Sequence, residues 1–184
     1  MKKFIVFFVL LTAFYAGHAQ LRAGVKAGLN VSNIAGGEDY RSKTGLHFGA
    51  FANLKMTSNL SVQGELLYSG QGARWDDDNE KTTLNYLQVP VLARYTFAPG
   101  FYAEAGPQIG FLLKAEDDDE GDVYDIKEYL KTTDVSLAIG AGYNVTENFG
   151  VYARYNAGFV KFYESEKNRT FQFGLSYTFG KAGK

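Results

Sequence analysis

Residues 170–179 read TFQFGLSYTF, so that Phe171, Phe173, Leu175, Tyr177 and Phe179 alternate with Thr170, Gln172, Gly174, Ser176 and Thr178. A period of two sends successive side chains to opposite faces of a strand. One face here is aromatic and apolar, and the other is small and polar. A lone strand of this kind fits many sheets. Repeated around a closed sheet with its polar face inward, it describes a barrel that has lipid as its solvent.

Seven more segments carry the same period, at residues 23–32, 44–55, 60–69, 87–97, 101–113, 134–144 and 149–159. Phe51 is the discordant member of the polar face in the second, and Pro90 in the fourth removes a ladder donor and predicts a bulge. Eight segments make an even number and the smallest common size for an outer-membrane barrel. The connections are a second sign. MTSN, APG and VTEN follow the second, fourth and sixth segments, whereas AGGEDYRSK, WDDDNEKT, residues 115–131 and KFYESEKN follow the odd ones. Short turns on one side and long loops on the other are what such barrels show. The fold expected is therefore all-β, an eight-stranded antiparallel up-and-down transmembrane barrel.

Lys2 and Lys3 precede an apolar run and a small-residue site at Gly17 and Ala19, which reads as a secretory signal peptide over residues 1–19. The barrel domain is then expected over residues 20–184. With no cysteine the chain can form neither a disulfide nor a thiol-linked lipid anchor. The 13 Tyr, 15 Phe and 21 Gly occur with a mean hydropathy of -0.20, too low for a bundle of membrane helices. Barrels escape that requirement because only alternate residues need be apolar.

The register puts Phe97, Phe101, Tyr143, Phe149 and Phe179 on the outer face near the short-turn end, as a periplasmic aromatic girdle. It puts Lys26, Arg94 and Arg154 inside with Glu65, Glu104 and Asp134. Side chains fill a bore this narrow, so these six are expected to pair and plug the lumen, with inward glycines making room for Tyr102 and Tyr152. A lipocalin-like soluble barrel would have both faces reversed.

The mature chain resembles the PorT-like family of small outer-membrane β-barrel proteins of Gram-negative bacteria. The residues that carry the resemblance are AGVKAGLNVSN, YLQVPVLARYTF, FYAEAGPQIGFLL and FQFGLSYTF. It implies an outer-membrane barrel and, as an alternative role, a small pore or an accessory barrel of a protein secretion system. The five residues beyond Phe179 depart from the usual aromatic ending of such chains.

Little in the chain points to catalysis. His47 is the only histidine outside the signal peptide, which offers no His pair for a metal, and it reads as a structural interior group. A lipid-modifying enzyme would need a polar cluster at the outer rim. No cofactor is implied. Acidic residues gather at Asp76, Asp77 and Asp78, and again at Glu116, Asp117, Asp118, Asp119, Glu120 and Asp122. Residues 115–131 hold eight acidic and two basic residues, a net charge of −6 in a chain of net −1. Such oxygen-rich runs make Asp117, Asp118, Asp119 and Asp122 weak candidates for a Ca²⁺ or Mg²⁺ site; the plainer reading is a solvated, self-repelling loop. Acidic loops also exclude nucleic acid. The expected role is a non-enzymatic, monomeric, structural or interaction protein. Its expected partners are outer-membrane lipid, lipopolysaccharide and other envelope proteins.

Overall fold

The computed structural model describes residues 21–35, 40–75, 80–119, 122–159 and 167–180. The expected signal peptide, the acidic run Asp76, Asp77 and Asp78, and Glu120 lie outside the described residues. Nine strands follow one another: β1 (Leu21–Ala35), β2 (Tyr40–Lys55), β3 (Leu60–Trp75), β4 (Glu80–Ala98), β5 (Phe101–Asp119), β6 (Asp122–Asp125), β7 (Thr133–Asn144), β8 (Phe149–Gly158) and β9 (Lys167–Thr178). Every pairing is antiparallel, and β9 returns to β1 with Thr178 opposite Gly24 and Lys167 opposite Ala35. The ring has eight strands, because β6 pairs only with the far end of β5.

The two faces differ as the alternation requires. In β9 Phe173 is 50% exposed and its neighbour Gln172 is 0% exposed. Leu29, Leu46, Phe48, Leu66, Ile139 and Leu175 share the exposed face, a continuous apolar surface that water would not tolerate and lipid solvates. The packed interior is the lumen. Inward glycines accept rings from the neighbouring strand: a Cβ on Gly24 would lie 2.4 Å from Phe51 Cζ, one on Gly28 2.8 Å from His47 Cε1, and one on Gly174 2.6 Å from the Tyr152 hydroxyl. The discordant Phe51 is thus a lumen residue, lying over a position that has no side chain.

Two expectations about the strands are corrected. Pro90 causes no bulge: pairs with β3 lapse between Val91 and Gln88 and resume in unchanged register, and the pairing with Gln108 of β5 is kept. A register shift lies instead between Asn85 and Tyr86, where β5 takes up an extra residue at Leu113. Leu112 and Ala115 are buried while Leu113 and Lys114 are both exposed, so the bulge reverses which residues of β5 face inward. The second correction concerns the long loops. Much of their sequence is strand: β2 begins at Tyr40, β4 at Glu80, and β5 runs to Asp119. These extensions are largely polar, with Leu84, Tyr86 and Ala115 as inward apolar exceptions, so they carry little hydrophobic period, yet their backbones still pair.

Turn chemistry closes the other end. Pro99 and Gly100 connect β4 to β5, with Gly100 at φ 81, the left-handed conformation a type II turn needs at that position. The two other turns use one device. Thr57 Oγ1 accepts from the backbone N–H groups of Asn59 and Leu60, and Thr146 Oγ1 from those of Asn148 and Phe149. The turn asparagines then reach sideways, Asn59 Nδ2 to Thr96 O at 2.9 Å and Asn148 Nδ2 to Thr178 O at 2.7 Å.

Candidate functional site

Strands β1, β3, β4, β5 and β8 each send one charged side chain to the same height of the bore. Arg154 is the hub. Its Nη1 and Nη2 donate to Glu65 Oε2 and Oε1, both at 2.8 Å, and its Nε and Nη2 donate to Glu104 Oε1 at 3.0 and 2.6 Å. Lys26 Nζ donates to Glu65 Oε1 at 2.9 Å, and Arg94 Nη2 to Glu104 Oε2 at 3.0 Å. Lys26 also lies 3.9 Å from the centroid of the Tyr152 ring, and the Arg94 guanidinium 3.8 Å from that of Tyr102. Five of the six charged residues expected in the lumen are therefore brought together, three cations sharing two carboxylates. Buried charges are tolerated only when paired and hydrogen-bonded in this way.

Asp134 is the sixth, and it stands apart. Its Cα partner on β5 is Gly110, whereas Glu104 is opposite Gly140, six residues further along β7. Six residues of strand span about 20 Å. Asp134 belongs to an upper, mostly uncharged tier with Gln71, Gln88, Gln108, Ser136 and Asn156. There Gln108 Nε2 donates to Ser136 Oγ at 3.1 Å, Thr170 Oγ1 to Gln71 Oε1 at 3.2 Å, and Asn30 Nδ2 to Ser69 Oγ at 2.9 Å. His47 sits between the tiers, its Nε2 2.5 Å from the Tyr152 hydroxyl.

Above the amides the outer end is apolar. Leu84, Tyr86, Leu112 and Ala115 form a buried cluster against which Ile126 and Leu130 pack. Those two residues flank the 3-10 turn Lys127–Tyr129, which follows β6. The described part of the acidic segment is thereby paired strand, β5 with β6, which corrects the expectation of a loop, while Asp122–Asp125 are all exposed to solvent. Its charges are dispersed by the pleat. Thr82 Oγ1 donates to Asp117 Oδ1 at 2.9 Å, Lys81 lies 2.8 Å from Asp118 Oδ2 on another side of the strand, and Asp119 pairs through its backbone with Asp122. Asp117 and Asp118 bond different partners on β4, and no group of three His, Asp or Glu side chains fit to hold a metal occurs among the described residues.

All five girdle residues project from the outer face at the short-turn end. Phe101 contacts Phe97 and Tyr143, with centroids 6.3 and 4.4 Å apart, while Tyr177, which alternation alone does not set apart, joins Phe149 and Phe179 at 4.9 and 5.6 Å. The aromatic stretch covers β4, β5, β7, β8 and β9; on β1 and β3 the exposed residues at that end are Leu21 and Leu60.

Residues 17–164 match the model of a family described as outer membrane protein beta-barrel domain. Among curated proteins none matches the chain. Of solved structures, Ail, the attachment invasion locus protein of Yersinia pestis, superposes with a TM-score of 0.55 at 16% identity, covering 86% of this chain and 98% of Ail. Neisserial surface protein A superposes with a TM-score of 0.58 at 14% identity, covering 85% of this chain and 97% of that one. At these identities the likeness is one of fold.

Proposed function

The chain belongs to the outer membrane protein β-barrel domain family and lies in the bacterial outer membrane, and from that premise we propose that it is a non-enzymatic barrel with a plugged lumen that acts through its outward hairpin. The observation that carries this reading is the ion-pair cluster across the bore: Lys26, Glu65, Glu104 and Arg154 are each 4% exposed or less. A bore filled at mid-height by mutually bonded side chains supports a closed barrel over the alternative of a small pore. On the outside, β4, β5 and β6 raise a three-stranded acidic surface above the apolar band, with Val123, Tyr124 and Tyr129 exposed on it. Exposed aromatics within a charged rim fit an interaction surface. Lys114, next to Leu113, and Arg169, two residues beyond Phe171, are exposed where lipopolysaccharide phosphates would lie, which favours that lipid as a partner.

Planar-bilayer recording of the refolded protein tests the plug, with no stable conductance expected; a reproducible open channel would overturn it. Trypsin treatment of intact cells tests the display, since cleavage at Lys127 or Lys131 is expected if the hairpin faces outward.

A further inference from the structure

At the short-turn end the lumen opens into a polar cavity of about 310 Å³, and its charges do not balance. Both carboxylates of the ion-pair tier are already shared, Glu65 between Lys26 and Arg154, and Glu104 between Arg154 and Arg94. Arg94 is the cation of that tier that lines the cavity, and Arg22 and Lys55 line it too, against Glu147 alone. Tier and mouth together therefore hold five cations and three carboxylates.

Two of the cations are held in place with a donor to spare. Arg94 is fixed by Glu104 on one side and the Tyr102 ring on the other. Arg22 Nη2 donates to the backbone carbonyl of Glu147 at 2.5 Å, which leaves the Glu147 carboxylate uncommitted to that contact. The Nε groups of both arginines are buried and have no acceptor among the described residues. A buried guanidinium N–H without an acceptor is costly, and an incoming anion would supply one. The low-dielectric wall of a membrane barrel focuses such an excess of positive charge along its axis. Asn53, Thr178 and Asn144 add neutral polar groups around the rim.

We propose that this periplasmic mouth is an oxyanion-binding site, in which Arg22 and Arg94 take a carboxylate or phosphate group presented from the periplasm and Lys55 strengthens its attraction. The site is separate from the outer hairpin, so it stands or falls independently of any role assigned to that surface. The anion has two possible sources, a soluble ligand or the headgroup of a neighbouring lipid.

The full chain folded in phosphatidylcholine nanodiscs, where both mouths are open, allows the arginine Nε–Hε resonances to be followed by NMR and assigned with Arg22→Gln and Arg94→Gln. Sodium phosphate and sodium acetate are titrated against sodium chloride at matched ionic strength. Saturable shifts of the Arg22 and Arg94 resonances are expected with at least one oxyanion, with chloride at least tenfold weaker and affinity reduced at least fivefold in Arg22→Gln. If the source is lipid, nanodiscs containing phosphatidylglycerol will show both resonances already shifted before titration; if it is soluble, they will not. Arg22 lies at the rim, so its variant keeps the test open should Arg94→Gln fail to fold. Shifts that never saturate under any of these conditions, or that are the same in Arg22→Gln, would refute the site.

Discussion

Arg154 makes four hydrogen bonds to two carboxylates while itself 2% exposed, and so ties β8 to β3 and β5 across the bore. Replacing it with Leu strands Glu65 and Glu104 in a buried site, where loss of one partner costs about 3–5 kcal/mol. Urea titration in lipid vesicles, followed by the shift of the folded band on unboiled gels, should show that loss. Arg154→Lys should restore little of it, because an ammonium cannot fork toward two carboxylates as a planar guanidinium does. Gly174 provides a second prediction. A methyl group there would sit 2.6 Å from the Tyr152 hydroxyl and 2.7 Å from the Ala27 carbonyl. Gly174→Ala should therefore destabilise by about 1–3 kcal/mol, and in a Tyr152→Ala background by less, a coupling that a double-mutant cycle would measure. Inward orientation at both sites was legible in the sequence, since parity alone assigns a face. That Asp134 lies apart from the other charges was not, because height along the bore depends on which residues pair across strands.

Two of the three turns at the short-turn end are tied to an adjoining strand by an asparagine. Asn148 Nδ2 bonds both Thr178 O and Gly180 O, whereas Asn59 Nδ2 bonds Thr96 O. At about 1 kcal/mol per hydrogen bond, Asn148→Ala should cost about 1–2 kcal/mol and Asn59→Ala about half that, both measurable as unfolding midpoints. The shared Thr-x-Asn spacing is visible in MTSN and VTEN, but only the fold reveals that each asparagine binds the end of a different hairpin. The strand extensions show the converse limit. The apolar outer face ends where lipid ends, and beyond it backbone pairing proceeds with only a few inward apolar residues, Leu84, Tyr86 and Ala115, to mark it. The order of β6 comes likewise from Ile126 and Leu130 seated on Leu112 and on Leu84 and Tyr86, the last two some forty residues away in the chain.

Across the whole molecule, closure and the arrangement of charge matter most. β9 is paired on both edges, with β8 and with β1. A chain ending at residue 166 would leave two long strands with unsatisfied edges in hydrocarbon, where each unpaired backbone group costs several kcal/mol. It should give no heat-modifiable folded species. The molecule is also polar from end to end, with Arg22, Lys55 and Arg94 around the inner mouth and an acidic hairpin beyond the outer one. The amino-acid sequence by itself determined the number of strands in the ring, the antiparallel order and the lipid and lumen faces, since each follows from a period of two and from turns short enough to join neighbours. Only the tertiary structure decided which inward charges meet, where the bulge at Leu113 reverses the facing of β5, and how the acidic segment folds. Those depend on register between strands far apart in the chain, which no local pattern encodes.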